Sequence, residues 1–162
     1  MTKVREGMSE TTVYFVETKS EEQSMAVCQA AEHFYEQGRR VQIVAGSALA
    51  AQRLDQLLWT FAQASFIPHR IGPAGQAGTT VEPVIITIGE VPVADATALV
   101  CEGAVGSAFM QRYEDVVHFV LLDDPEKRQE SRSLWQELRD KGLRVNHVAY
   151  AAKGKPFSLV LS

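Results

Sequence analysis

Residues 13–45 read VYFVETKSEEQSMAVCQAAEHFYEQGRRVQIVA, and this stretch decides the fold. Its two ends, residues 13–17 and 40–45, are short and almost wholly apolar, as buried parallel strands are. Between them, Ser20 and Gln23 stand in the spacing of a capping box, which predicts the start of a helix. A strand, a helix and a second strand at this spacing predict a right-handed βαβ unit. The inner face of the helix would carry Val27, Ala31 and Phe34.

The rest of the chain continues this alternation of strands and helices. Residues 46–47, Gly-Ser, open a second helix, and residues 123–125, Asp-Asp-Pro, predict a third through an aspartate cap and a first-turn proline. Gly38 and Gly142 are placed to end the first and third helices. Further strands are predicted at Pro83–Ile88, Ala98–Cys101, Val116–Leu122 and Arg144–Tyr150.

This pattern predicts an α/β fold, a three-layer Rossmann-like domain with a mostly parallel sheet flanked by helices. A chain of 162 residues most often forms one domain. We therefore assign residues 11–162 to a single domain and residues 1–10 to a polar N-terminal extension. Residues 71–80 are rich in glycine and predict a flexible surface loop. Residues 153–162 predict a short tail with one strand-like piece at residues 157–161.

Composition excludes several classes of protein. Apolar residues make up 46% of the chain and charged residues 22%, which is ordinary for a globular protein. A net charge of −4 argues against a protein that grips a phosphate backbone over its whole surface. Neither a signal peptide nor an apolar run of membrane-spanning length is visible. Cys28 and Cys101 lie in apolar segments without a C-x-x-C partner, which predicts buried, reduced thiols and a cytoplasmic location.

The sequence lacks the motifs that are typical of nucleotide-binding sites, metal sites and catalytic nucleophiles. Residues 18–22, after the first strand, contain no glycine and two carboxylates that would repel a pyrophosphate. Residues 72–80 are glycine-rich but lack the P-loop lysine. His118 lies within a strand and is predicted to be a satisfied imidazole. We predict no cofactor, metal or catalytic residue. The alternative is a nucleotide- or small-molecule-binding α/β enzyme with an unrecognised site, which a ligand held by residues 72–80 would reveal.

Residues 53–69 read Arg-Leu-Asp-Gln-Leu-Leu-Trp-Thr-Phe-Ala-Gln-Ala-Ser-Phe-Ile-Pro-His and hold three large aromatic side chains. Apolar residues at helical spacing predict an amphipathic helix that stops before Pro68. Phe61 is predicted to be part of the core. Trp59 lies nearly opposite Leu57 on the helical wheel, so the core of the domain buries it less easily. An exposed tryptophan is a good candidate for an interface anchor.

On a helical wheel of residues 125–141, Leu134 and Leu138 share an apolar face, which is predicted to pack against the sheet. Little more than a quarter-turn of the same helix collects Arg128, Arg132, Trp135, Gln136 and Arg139. One interpretation is a solvated face, with the arginines paired to nearby acids and the tryptophan over the core edge. The other is a pocket with an aromatic floor and guanidinium groups around it. Such a pocket suits a peptide that ends in an apolar side chain and a free carboxylate.

The order Leu-Asp-x-x-Leu-Trp at residues 54–59, then Ser-Phe-Ile-Pro-His at residues 65–69, resembles the signature of the chi subunit of bacterial DNA polymerase III holoenzyme. The resemblance covers nearly all of residues 13–150 and includes Val-Val-x-Phe-Val at residues 116–120. It implies an accessory protein of the clamp loader without catalysis of its own. It also implies a pocket for the acidic C-terminal tail of single-stranded DNA-binding protein, which ends in Pro-Phe. The pocket positions carried over by the resemblance are Val120, Arg128, Arg132, Trp135 and Gln136, with Arg139 as a substitute for the basic contact that is lost at Gln136.

The resemblance further implies a second interface. Trp59 and Phe66 match the surface by which chi docks psi, its partner in the clamp loader, or in some bacteria a repair helicase of the XPD/DinG type. The function implied is a non-catalytic adaptor that links the clamp loader to protein-coated single strands during DNA replication. No direct nucleic-acid binding of note and no membrane contact are expected.

Overall fold

The computed structural model describes residues 10–61, 66–72 and 82–150 of the chain. The predicted surface loop beyond Gly72, the C-terminal tail and nearly all of the N-terminal extension lie outside the described residues. The helices are α1 (Gln23–Glu36), α2 (Ala48–Thr60), the short α3 (Ser107–Met110) and α4 (Pro125–Asp140), with a 3-10 turn at Ser20–Glu22. The strands are β1 (Thr12–Thr18), β2 (Val41–Ala45), β3 (His69–Ile71), β4 (Val84–Ile88), β5 (Ala98–Cys101), β6 (Asp115–Leu121) and β7 (Arg144–Ala149).

The described strands form one sheet in the order β3-β4-β2-β5-β6-β1-β7. Every pairing between them is parallel. Parallel neighbours need crossover connections, which α1, α2 and α4 supply over the faces of the sheet. The predicted α/β fold is confirmed, and the sheet, expected to be mostly parallel, is wholly parallel over the described strands.

Each face of the sheet has its own apolar core, because successive side chains of a strand point to opposite faces. On β1, Tyr14 and Val16 pack in the core that contains α1 and α2. Val13 and Phe15 pack in the core that contains α3 and α4. The sheet is therefore the middle layer of three, and the α4 side and the α2 side of the protein are separate surfaces.

Most predicted helix ends are confirmed, but α2 ends at Thr60 and does not continue to Pro68 as predicted. Ser47 Oγ accepts a hydrogen bond from the Ala50 amide (3.1 Å) at the start of α2. Asp124 Oδ1 accepts one from the Lys127 amide (3.0 Å) at the start of α4. Gly38 follows the end of α1 with a φ of +78°. This left-handed conformation is available to glycine at little cost and ends the helix.

The predicted capping box of Ser20 with Gln23 is wrong. The Lys19 amide instead donates to Glu22 Oε1 (2.9 Å). The amide and the hydroxyl of Ser20 both donate to Asp123 Oδ1 (2.9 Å each), and these hydrogen bonds lower the pKa of the Asp123 carboxyl. The reason is tertiary, since β1 and β6 are neighbours and the residues that follow them meet at one edge of the sheet.

Two short elements were not predicted from the sequence. Ile71, expected to open the loop, is the last residue of β3, which pairs with β4. A strand of three residues is too short to show an alternating pattern, so only its pairing reveals it. The four-residue helix α3 is likewise too short to show a helical period.

The sheet topology places three neighbouring strands, β6, β1 and β7, beneath α4. β1 lies between β6 and β7, and the register aligns Phe15 with His118 on one side and with His147 on the other. α4 packs against β6 and β7 on this face. None of the helices in the described part of the chain is long and apolar enough to span a membrane.

Candidate functional site

An open cleft of about 440 Å³ lies where α4 crosses the strands β6, β1 and β7. We call it the α4 cleft. Its volume falls in the range of small-molecule binding sites. Four residues of the predicted peptide pocket, Val120, Arg128, Arg132 and Trp135, are among the residues that line it. The described residues that line it are Phe15, Glu17, Val120, Leu122, Arg128, Ser131, Arg132, Trp135 and His147.

The floor of the α4 cleft is apolar. The indole of Trp135 stands edge-on to the ring of Phe15, with 5.1 Å between the ring centroids and 84° between the planes. Phe15 is buried, and Trp135 and Val120 are partly buried. Leu122, on the rim, keeps 39% of its surface exposed. An apolar side chain of a ligand would bury these groups further, and removal of their apolar surface from water would favour binding.

Arg128 and Arg132 stand on α4 one turn apart, about 6 Å along the helix axis. Both are exposed, and neither guanidinium group forms a hydrogen bond or an ion pair with any of the described residues. The neighbouring Lys127, by contrast, forms an ion pair with Glu130, with 3.8 Å between Nζ and Oε1. No described residue thus competes for the two guanidinium groups beside the floor, and their planar forks match a carboxylate.

Gln136 and Arg139, also predicted for the pocket, do not line the α4 cleft. Gln136 Nε2 donates to Asp140 Oδ1 (3.0 Å) one turn further along the helix. Arg139 is exposed in the last turn of α4. The structure therefore brings Val120, Arg128, Arg132 and Trp135 together and leaves these two outside.

A second surface is formed by Trp59 and Phe66, which are 52% and 62% exposed. Their ring centroids are 5.3 Å apart, and Trp59 also lies 4.5 Å from the ring of His69. His69 is buried, with Nδ1 2.7 Å from the Ile67 carbonyl oxygen and Nε2 3.1 Å from the Asp55 carbonyl oxygen. We call this surface the aromatic patch. Trp59 thus packs on a buried histidine that is held by backbone carbonyl groups, and both Trp59 and Phe66 remain largely exposed.

A family model described as "DNA polymerase III chi subunit, HolC" matches residues 8–146. The chain belongs to the DNA polymerase III chi subunit family. A curated relative, "DNA polymerase III subunit chi" of Pseudomonas aeruginosa, is 26% identical over 115 residues, which are 71% of this chain and 78% of the relative. The resemblance found in the sequence signature is confirmed.

Among solved structures, this chi-family chain is similar to the crystal structure of T4 UvsW, with a TM-score of 0.59. The match covers 86% of this chain and 41% of that one. At 8% sequence identity the likeness concerns the fold alone.

Several residues of the α4 cleft escaped the sequence analysis of this chi-family chain. Phe15 and Glu17 reach it from β1, and His147 reaches it from β7. The alternation along β1 does place Phe15 and Glu17 on one face. What the sequence does not show is which other strands lie beside β1, so nothing linked this face to the charged helix.

His118 lies beneath α4 next to this cleft. Its Nε2 is 2.8 Å from Ser131 Oγ, and its ring centroid is 4.7 Å from that of Phe15. Burial lowers the pKa of His118 to about 4, so the imidazole is neutral near pH 7. The prediction of a satisfied imidazole is confirmed.

Nucleotides in open α/β sheets bind at the carboxyl ends of the strands, against exposed backbone amides. In the chi-family chain these amides meet carboxylates of the chain itself. Gly46 N–H donates to Glu102 Oε1 and Gly106 N–H to Glu90 Oε2, both at 2.7 Å. The two loops also touch, because a Cβ added to Gly103 would lie 2.5 Å from Gly46 Cα. An open cleft of about 760 Å³ lies here, lined in part by Gly46, Glu102 and Gly106. Because carboxylates already bind the amides that a phosphate would use, the contacts disfavour the nucleotide-binding alternative.

The two cysteines are free and buried, as predicted. Burial raises the pKa of Cys28 to about 12 and also raises the pKa of Cys101. A thiol must ionise to act as a nucleophile, so neither is activated for that role. Within residues 10–61, 66–72 and 82–150, no three His, Cys, Asp or Glu side chains are grouped to hold a metal ion.

Proposed function

We propose that this chi-family chain is a non-catalytic, cytoplasmic adaptor of the DNA polymerase III clamp loader. The α4 cleft would hold the acidic C-terminal tail of single-stranded DNA-binding protein, with the terminal phenylalanine on the apolar floor and its carboxylate at the arginines. The aromatic patch would dock psi or a helicase of the XPD/DinG type. The observation that carries the proposal is a pair of guanidinium groups, without partners among the described residues, beside a partly exposed indole.

The charges of the α4 cleft favour an anionic ligand. Arg128 and Arg132 have no partners among the described residues, whereas Glu17, the one carboxylate that lines the cleft, is hydrogen-bonded to His147 (2.8 Å). A charge-assisted hydrogen bond from a guanidinium to a carboxylate is worth about 1.5–3 kcal/mol. A phenylalanine that leaves water for the floor adds an apolar contribution, which salt does not screen.

The aromatic patch and the α4 cleft are far apart. The patch belongs to α2 and the residues around β3, and the cleft belongs to α4 and the strands around β1. α2 and α4 cover opposite faces of the sheet, and β3 and β7 are its opposite edges. Both partners can therefore be bound at once, as an adaptor requires. Several tails on one oligomer of the DNA-binding protein would raise the overall affinity by avidity.

A direct test is the titration of a fluorescent peptide that carries the acidic tail and ends in Pro-Phe. Wild-type protein is expected to bind it, with an affinity that decreases as salt rises but does not vanish, because the apolar contact persists. A matched peptide without the terminal phenylalanine is expected to bind much more weakly. If the wild-type protein does not bind the complete tail, the proposed tail-binding function is wrong.

The purified protein is expected to show negligible affinity for naked single-stranded DNA at physiological salt. Its net charge is −4, and the two arginines of the cleft can neutralise only about two phosphates. The measurement is a fluorescence titration of a labelled oligonucleotide, bare and then coated with single-stranded DNA-binding protein. Sub-micromolar binding to the bare strand would contradict the adaptor function, whereas binding to the coated strand alone would support it.

Trp59→Ala is expected to weaken binding of psi, or of the helicase that replaces it, by about 2 kcal/mol, as the loss of an aromatic anchor does. The melting temperature should change little, since half of the indole is already exposed. Gln56→Ala, exposed one turn earlier on α2, is the matched control and should leave binding unchanged. A sharp drop in melting temperature for Trp59→Ala would show that the indole stabilises the core and that the interface assignment is wrong.

A further inference from the structure

Among the described residues, one carboxylate lines the α4 cleft, and the other charged side chains that line it are the two arginines. Glu17 lies at the end of β1 on the same face as Phe15, and its side chain is 31% exposed. It forms no ion pair with Arg128 or Arg132, and its partner is His147 on β7, with 2.8 Å between Oε2 and Nε2. The cleft therefore has a positive side, on α4, and an acidic side, on the strands.

His147 also touches the floor of the cleft. Its ring stands edge-on to Trp135, with 6.2 Å between the centroids and 81° between the planes. Phe15 contacts the same indole from the sheet. His147 thus holds the Glu17 carboxylate with one ring nitrogen while it packs beside the indole that a ligand would contact.

We propose that Glu17 and His147 form a specificity-determining pair of the α4 cleft. Glu17 repels acidic side chains from the strand side of the cleft, so that an acidic tail lies with its carboxylates along α4. His147 limits this repulsion by its hydrogen bond to Glu17 and is a positioning residue. The inference rests on the proposed function. It adds two residues to the site and the orientation of the bound tail, which the charged helix by itself does not define.

Two variants test the pair. Glu17→Gln keeps the shape of the side chain and removes the charge, so the acidic tail peptide should bind roughly threefold more tightly, a gain typical of a single screened charge. His147→Phe keeps a ring beside Trp135 but cannot donate to Glu17, so the peptide should bind roughly threefold more weakly. When Glu17 is already replaced by Gln, His147→Phe should have little further effect. The carboxylate whose charge His147 offsets is then absent.

A second peptide separates this role from a merely structural one. It carries amides in place of the acidic side chains and keeps the terminal Pro-Phe. Glu17→Gln should change its affinity less than it changes that of the acidic tail. Melting temperatures of all variants control for folding, and Glu17→Thr, which also suits a strand, is the substitute if Glu17→Gln does not fold.

The outcomes distinguish this inference from the proposed function. Wild-type binding of the tail, with no change or a loss of affinity in Glu17→Gln, would overturn the role of Glu17 and leave tail binding intact. An equal effect of Glu17→Gln on both peptides would also overturn it. The absence of wild-type binding would overturn both proposals.

Discussion

Arg132→Ala is expected to weaken binding of the acidic Pro-Phe tail by about 1.5–3 kcal/mol, roughly ten- to a hundredfold. Arg132 lines the α4 cleft beside Trp135, and no described residue is paired with it. A tail carboxylate on the edge of the apolar floor would lose its forked partner, while the floor itself remained. Titration of the fluorescent tail peptide against the wild type and the variant measures the loss.

Arg139→Ala is the matched control for Arg132→Ala. It removes the same charge from the same helix, but Arg139 does not line the cleft. Its effect should be the smaller one, through screened long-range attraction. Arg132→Lys should recover only part of the affinity, since a lysine keeps the charge without the fork. Equal affinity of the wild type and Arg132→Ala would refute the placement of the tail carboxylate.

The protein is expected to lose stability in acid through His118. Burial lowers the pKa of this imidazole from 6.5 to about 4 in the folded state. Between these values the unfolded chain binds the proton more tightly than the folded protein does. The free energy of unfolding should therefore be level above about pH 6.5 and fall as the pH decreases towards 4. The shift corresponds to about 3 kcal/mol at most from this one group.

Urea unfolding of wild type and His118→Gln between pH 4 and pH 7 measures this contribution. Glutamine can still hydrogen-bond to Ser131 Oγ but does not titrate, so the two curves should converge as the pH falls. Ser131→Ala is the control, because it removes the same hydrogen bond and keeps the imidazole. Parallel curves for wild type and His118→Gln would show that the buried imidazole does not cause the acid sensitivity.

Local patterns in the sequence were sufficient for most of the fold. Apolar runs such as residues 13–17 and 40–45 predicted strands, because a buried strand has no polar face to show. Gly38, Ser47 and Asp124 marked helix ends, because a positive φ and an N-terminal amide each require a particular kind of residue. Such requirements are met within a few residues of the chain, so a single sequence displays them.

The residues of the proposed tail-binding site also divide into those that the sequence predicts and those that only the structure reveals. Arg128, Arg132 and Trp135 could be grouped from the sequence, because the 3.6-residue period of one helix fixes their relative directions. Phe15, Glu17 and His147 could not be added to them, because their approach depends on β1 lying between β6 and β7. That order is a product of pairings between strands far apart in the chain. Gln136 falls on the same wheel sector, yet it bonds to Asp140 outside the cleft.

The sequence by itself determined that this protein is a parallel α/β chi-family chain with an arginine- and tryptophan-bearing helix, because those features follow from local periodicity and a family signature. Only the tertiary structure decided which charges are paired. Ser20 binds Asp123, Glu17 binds His147, and Arg132 remains without a partner among the described residues. Two groups pair only when they lie close together in space. The order of the strands and the position of α4 on the sheet set those distances.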